Sequence, residues 1–154
     1  MSGTQPSPGA ERLSDEAASL LRHDLITPIN LIIGYCELLL GDAGDSDRPG
    51  LAATLRSARD QGFTLLKAVD DALLADASDR STAILRDLGA SLQAPAAAVV
   101  AIADRLLGDG PADGDLAADL RRIGSAGRRM EAMGRELAAG RTTLGADSSL
   151  AAAD

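Results

Sequence analysis

The chain has 154 residues, enough for one compact domain, and its 15 Lys and Arg residues against 23 Asp and Glu residues leave a net charge of −8. This acidic balance argues against DNA, RNA or an anionic membrane as the main partner, because each requires a positive surface. The single cysteine, Cys36, excludes an intrachain disulfide framework and fits a reduced compartment. Tyr35 and Phe63 are the only aromatic residues, and runs of β-branched residues are missing. The composition therefore predicts an all-α fold.

Four helices are predicted in chain order from the apolar periodicity. They cover about residues 14–40, 49–75, 82–107 and 115–139. Ser14 is the expected N-cap of the first helix, and Gly41 is expected to end it in a left-handed conformation. Gly140 is expected to stop the fourth helix.

The apolar stretches do not predict a membrane protein. The longest, Leu25 to Leu40, is interrupted by Pro28, Asn30 and Glu37, so no segment is expected to span a bilayer. The N-terminus also lacks the basic start and apolar block of a signal peptide. Both features favour a cytoplasmic protein.

The two halves of the chain resemble each other. Pro28 and Pro95 lie 67 residues apart, and both halves end their first helix with Leu-Leu-Gly-Asp; Leu55 and Leu120 lie 65 residues apart. We therefore predict a repeated helical hairpin, although Ala- and Leu-rich helices can also align by chance. Two hairpins would form a four-helix bundle within one chain, a pseudo-dimer, because one hairpin cannot cover its own apolar stripe. The predicted organisation is a disordered lead (1–12), a first hairpin (13–78), a degenerate second hairpin (79–141) and a flexible tail (142–154).

The only histidine of the chain, His23, falls on the polar side of the first predicted helix. The apolar side of the helical wheel contains Leu21, Leu25, Pro28, Ile29, Ile32, Cys36 and Leu39. The opposite side contains His23, Thr27, Asn30, Gly34 and Glu37. His23 is therefore predicted to be solvent-exposed. An exposed histidine taken alone is most often an ordinary surface residue.

The residues around His23 suit phosphoryl transfer. An imidazole that accepts a phosphoryl group needs a free lone pair, and a nearby carboxylate such as Asp24 can take the proton from the other nitrogen. The hydroxyl of Thr27 can bind a water or a phosphoryl oxygen. Pro28 removes a backbone hydrogen bond, so it predicts a kink beside the reactive residue, with a purely structural kink as the alternative. His23, Asp24 and Thr27 are the candidate catalytic residues.

The run from His23 to Leu39, His-Asp-Leu-Ile-Thr-Pro-Ile-Asn-Leu-Ile-Ile-Gly-Tyr-Cys-Glu-Leu-Leu, resembles the H-box of the dimerisation and histidine-phosphotransfer domain of two-component histidine kinases. The usual H-box reads His-Glu/Asp-Leu-Arg/Lys-Thr-Pro-Leu, followed by Ile-x-Gly-Tyr-x-Glu-Leu-Leu. The resemblance covers about residues 14–76, with 82–140 as a decayed copy. It implies that His23 carries the phosphoryl group, that Asp24 assists, and that Thr27 lies where the family has its dephosphorylating hydroxyl or amide.

Two departures from the family pattern matter for function. Ile26 replaces the usual basic residue, which disfavours autophosphorylation in the manner of a kinase. The second copy has Ala90, Ser91 and Ala94 where the first has the three candidate catalytic residues, so that half cannot be phosphorylated in the same way.

The sequence contains no pattern of an ATP-binding α/β domain, so the protein is expected to receive its phosphoryl group rather than take it from ATP. The expected function is a histidine-containing phosphotransfer protein that relays phosphoryl groups between receiver-domain aspartates. It would need no cofactor of its own, because the receiver supplies Mg²⁺. The alternatives are an adaptor or inhibitor that binds a receiver or a kinase without transfer, and a receiver phosphatase that uses Thr27.

A docking surface for the receiver is predicted beside His23, where apolar residues flank the polar stripe. The predicted docking residues are Ile26, Asn30, Leu31, Gly34 and Leu38. The alternative is that a neighbouring helix covers the apolar members of this set. A monomer is expected, with a homodimer as the competing arrangement.

Overall fold

The computed structural model of the chain describes residues 13–43, 48–74, 81–110 and 114–141. These residues form four helices: α1 Asp15–Ala43, α2 Leu51–Leu73, α3 Thr82–Gly108 and α4 Asp115–Ala138. The predicted all-α four-helix bundle is confirmed for this part of the chain. The predicted disordered lead (1–12) and flexible tail (142–154), and part of each connecting turn, lie outside the described residues.

The ends of the helices follow local capping chemistry, with one exception. The Ser14 hydroxyl accepts a hydrogen bond from the backbone N–H of Ala17 at 3.1 Å, as expected of an N-cap. Gly140 has a φ of 83° directly after α4, as predicted for its end. The prediction that Gly41 ends α1 is wrong: the helix continues to Ala43, and Gly41 has no positive φ. Leu40 and Ala43 both pack against the core, so burial extends the helix past the glycine.

The helices form a closed ring around one core. α1 packs against α2 and α4, and α3 packs against the same two helices, so α1 and α3 lie at opposite corners of the bundle. The centre is filled mainly by aliphatic side chains from all four helices. Leu25, Ile29, Leu65 and Leu92 are fully buried. Because these side chains are covered within one chain, the bundle closes its own core.

Burial in α1 is repeated in α3. Eight of the nine buried residues of α1 have a buried counterpart 67 positions later, and these pairs include Pro28 with Pro95. The exception in α1 is Ile33, whose counterpart Val100 is half-buried. The extra buried residue of α3 is Gly89, which occupies the position of Arg22.

Helix crossings also repeat. A Cβ added to Gly62 of α2 would lie 2.7 Å from Cγ1 of Ile33, and one added to Gly127 of α4 would lie 2.9 Å from Cγ2 of Val100. The two glycines lie 65 positions apart, and their two neighbours lie 67 positions apart. The same close approach of one helix to the next therefore occurs in both halves of the chain.

Among the described residues, α1 and α3 are long and apolar enough to cross a membrane by length and composition. This corrects the expectation that no segment meets that test, because the leucine and isoleucine content of α1 outweighs its few polar residues. The core helix of a soluble protein and a signal sequence pass the same test. The finding therefore assigns no location to the protein.

Candidate functional site

His23 lies on the solvent side of α1, and the backbone that carries it is held firmly. Its neighbours Leu21 and Leu25 are 0% exposed in the core. Arg22 donates from Nε to Oδ1 of Asp70 in α2 at 2.9 Å, which ties the adjacent residue to the next helix. The predicted exposure of His23 is confirmed. The imidazole therefore lies exposed on a turn of helix whose flanking residues are held by the core and by the second helix.

The imidazole of His23 makes no hydrogen bond or ion pair with any residue that the structure describes. Asp24 is half-buried and does not contact the imidazole through a hydrogen bond, in keeping with the divergence of adjacent side chains on a helix. The two predicted partners in proton transfer are thus neighbours in the chain, but no hydrogen bond joins their side chains.

Thr27 is exposed one turn after His23, and its hydroxyl has a defined partner. Its Oγ1 donates a hydrogen bond to the backbone carbonyl of His23 at 2.9 Å. The hydroxyl proton is therefore engaged, and only the lone pairs of Oγ1 face outward. At the next position Pro28 has no N–H, so the carbonyl of Asp24 lacks its usual partner within the helix.

The predicted docking residues fall into two groups. Asn30 and Gly34 are exposed, and Leu31 and Leu38 are 36% and 56% exposed. Leu31 and Leu38 are therefore exposed, whereas the alternative was that a neighbouring helix covers them. Ile26 is half-buried and packs against the core, so it offers only part of its side chain to a partner.

A groove of about 430 Å³ runs between α1 and α4, beginning one turn from His23. We call it the α1–α4 groove. Its lining includes Thr27 and Leu31 from α1, and Arg121, Arg122, Ser125 and Arg129 from α4. A shallow depression around Asn30, Gly34 and Leu38 also includes Leu31 and continues this groove along α1.

The arginines of the groove are held in different ways. Arg122 forms an ion pair with Asp119 at 2.6 Å, and its guanidinium carbon lies 5.6 Å from the ring centroid of Tyr35 in α1. Arg129 forms no hydrogen bond or ion pair with the described residues. These arginines were missed by the sequence reasoning. The signal was present, because two Arg-Arg pairs lie seven residues apart, two helical turns, in an otherwise acidic chain.

Cys36 is fully buried on the core side of α1. Burial raises the pKa of its thiol from 9.0 to about 11, an effect that Arg59 opposes and Glu37 reinforces to smaller extents. A thiol with so high a pKa is almost entirely protonated at neutral pH. Cys36 is therefore a packing residue rather than a nucleophile.

Within the described residues, no three His, Cys, Asp or Glu side chains are grouped so that they could hold a metal ion. Comparison of the chain with protein-family models, with curated proteins and with solved structures gives no match. The candidate function therefore depends on the residues of the site itself.

Proposed function

We propose that the protein is a histidine-containing phosphotransfer protein that relays phosphoryl groups between receiver-domain aspartates through phospho-His23. The observation that carries the proposal is the state of His23, an exposed imidazole without a partner among the described residues. It lies within the sequence His-Asp-Leu-Ile-Thr-Pro, on a helix that is held by buried neighbours and by the ion pair of Arg22 with Asp70. An ordinary surface histidine needs none of these neighbours.

The transfer requires little bond chemistry from the bundle. A lone pair of one imidazole nitrogen of His23 attacks the phosphorus of a phosphoaspartate, and the bond between phosphorus and the aspartate oxygen breaks. The aspartate leaves as a carboxylate, and the proton on the other imidazole nitrogen passes to a base, for which Asp24 is the adjacent candidate in the chain. The receiver supplies Mg²⁺ and its acidic pocket. The main contribution of the bundle is to orient the imidazole and to dock the receiver.

The bundle acts in this proposal as a pseudo-dimer with one active face. Support comes from the diagonal placement of α1 and α3, from their matching buried residues, and from the matched crossings at Gly62 and Gly127. The position of His23 is Ala90 in the second half, and that of Thr27 is Ala94. The second hairpin would thus complete the core without chemistry of its own. We place the protein in the cytoplasm, where receivers occur.

Binding without transfer is the second candidate function. The exposed leucines Leu31 and Leu38 favour docking of a partner whether or not a phosphoryl group moves. An adaptor or inhibitor would use the same surface. The phosphatase alternative is less well supported, since the hydroxyl proton of Thr27 is engaged by the carbonyl of His23.

The test is phosphoryl transfer from a receiver. Purified receiver domains of the same organism are phosphorylated with radiolabelled acetyl phosphate, freed of the donor and mixed with the protein. Acid-labile, base-stable label on the wild type, and none on a His23→Gln variant, would support the relay. Stable binding without label would point to the adaptor, and release of inorganic phosphate without labelled protein would point to the phosphatase.

A further inference from the structure

We propose that the α1–α4 groove is where the receiver docks, with an apolar side chain of the receiver against Leu31 and its carboxylates against the arginines of α4. The inference rests on the proposed function for the identity of the partner. The chemistry of the partner, an acidic surface with an apolar anchor, follows from the groove.

The repeat within the chain provides an internal comparison for this groove. The spacings of 67 and 65 residues place the equivalent surface between α3 and α2. There Thr27 and Leu31 are replaced by Ala94 and Ala98. The replacements on α2 for Arg121, Arg122, Ser125 and Arg129 are Arg56, Ser57, Asp60 and Thr64. Three arginines on one side thus correspond to one arginine and one aspartate on the other.

The buried positions of the two halves do not explain this difference. Eight of the nine buried positions of α1 recur in α3, and five of the seven buried positions of α2 recur in α4. The arginines of the groove and their counterparts on α2 are all exposed, so they lie outside the core that the two halves share. The arginines and the exposed leucine occur on the side that also has His23. A docking surface is needed only on the side that carries the reactive residue, which accounts for both differences at once.

The charge of the groove selects the partner. The chain as a whole carries a net charge of −8, so it offers an acidic protein little general attraction. The positive groove would attract that protein at one place, which fixes the face and the orientation of the encounter. The lining at Leu31 and Ala126 offers apolar contact between the charges, as the centre of a protein interface requires.

The position of the groove also fits transfer. Thr27 belongs to the lining and lies four residues after His23, a rise of about 6 Å along the helix. A receiver seated in the groove would hold its phosphoaspartate beside the imidazole. The depression around Gly34 and Leu38 would extend the contact away from the reacting atoms.

The experiment compares two double variants at equivalent positions. Arg121→Ala with Arg129→Ala removes two charges from the groove, and Arg56→Ala with Thr64→Ala alters the matching positions between α2 and α3. Binding of a purified receiver domain is measured by isothermal titration calorimetry at several salt concentrations, together with the rate of His23 phosphorylation. Circular dichroism verifies that both variants keep the helical content of the wild type.

We expect the groove variant to weaken receiver binding by about tenfold or more and to reduce its salt dependence, while the matched variant changes binding less than about twofold. Phosphorylation of His23 should show a raised KM with little change in kcat, because the arginines act in docking. Equal binding by both double variants, or a loss confined to the α2–α3 variant, would overturn the inference.

The outcomes separate this inference from the proposed function. Normal label transfer that is insensitive to the groove variant would leave the relay standing and refute the docking site. Binding that depends on the groove, without any label on His23, would refute the relay and leave the docking site standing. If no acidic receiver binds the wild-type protein, both proposals fail.

Discussion

Gly89 of α3 and Gly134 of α4 meet backbone to backbone: a Cβ added to Gly89 would lie 2.5 Å from the carbonyl oxygen of Gly134. At the equivalent positions of the first hairpin stand Arg22 and Val69. The second hairpin is accordingly the more closely packed of the two. The first hairpin has room for the Arg22 side chain, which reaches Asp70 and steadies the turn that carries His23. The two hairpins thus differ at the position where Arg22 of the first hairpin supports the turn that carries His23.

The Gly89→Ala substitution should destabilise the bundle by about 2–3 kcal/mol, because the new methyl group meets backbone atoms that cannot move without separating two helices. Chemical denaturation measures the effect. Gly41→Ala is the control, since Gly41 is exposed within α1 and has open space around its Cα. That variant should gain about 0.5 kcal/mol from helix propensity. Similar free energies of unfolding for both variants would contradict the close contact.

Replacing His23 with Gln should abolish phosphoryl acceptance and change the free energy of unfolding by less than about 0.5 kcal/mol, because the side chain is exposed and unpaired among the described residues. Label transfer and thermal denaturation measure the two properties. A large fall in the melting temperature would show that His23 supports the fold. Label retained by the variant would show that a residue other than His23 carries the phosphoryl group.

Much of the fold follows from the sequence because the apolar residues recur with the period of an α-helix. The apolar stripe of α1 predicted each of its core positions from Leu21 to Leu39 except Ile33, and the polar stripe predicted the exposure of His23. The extension of α1 past Gly41 was not predictable from local rules, because it depends on the contacts of Leu40 and Ala43 with other helices.

The candidate site was only partly predictable, since it combines two distant segments. The residues on α1 follow from one helical wheel. The arginines of α4 join them only because α4 packs beside α1, and a repeat of two hairpins does not by itself state which neighbour lies on which side of His23. The engagement of the Thr27 hydroxyl by the carbonyl of His23 likewise depends on a side-chain rotamer.

The Thr27→Ala substitution should slow the loss of the phosphoryl group from His23 more than its acceptance, if the outward lone pairs of the hydroxyl orient a water. Time courses of labelling and of label loss measure the two rates. Thr64→Ala is the matched control, since the Thr64 hydroxyl makes the same type of bond, to the carbonyl of Asp60 at 3.1 Å. Equal effects on both rates, or none, would remove Thr27 from the site.

The stability of the bundle should fall in alkaline solution because of Cys36. Well below pH 9 the thiol is protonated in the folded and the unfolded chain, so it adds no pH dependence there. Between pH 9 and about 11 the unfolded chain loses the proton while the buried thiol retains it, which favours unfolding as the pH rises. Denaturation of the wild type and of Cys36→Ala across this range measures the effect. The variant should show the shallower decline, and parallel curves would contradict the raised pKa.

The oligomeric state of the protein follows from how its core is covered. The hairpin of α1 and α2 cannot cover its own apolar stripe, and α3 and α4 provide that cover within the chain. Leu21, Leu25, Ile29 and Ile32 are 0% exposed in the single chain, so dimerisation would bury no further core at these positions. The protein should therefore be a monomer of 15.7 kDa at micromolar concentration.

A monomer with one histidine should accept at most one phosphoryl group and bind one receiver, whereas a swapped or two-fold dimer would present two active faces. Light scattering coupled to size exclusion gives the mass, and titration with a receiver gives the stoichiometry. A mass that stays constant on dilution separates the intrachain bundle from a dimer, whose dissociation depends on concentration. A mass near twice 15.7 kDa with two receivers bound per particle would replace the pseudo-dimer with an ordinary two-fold assembly.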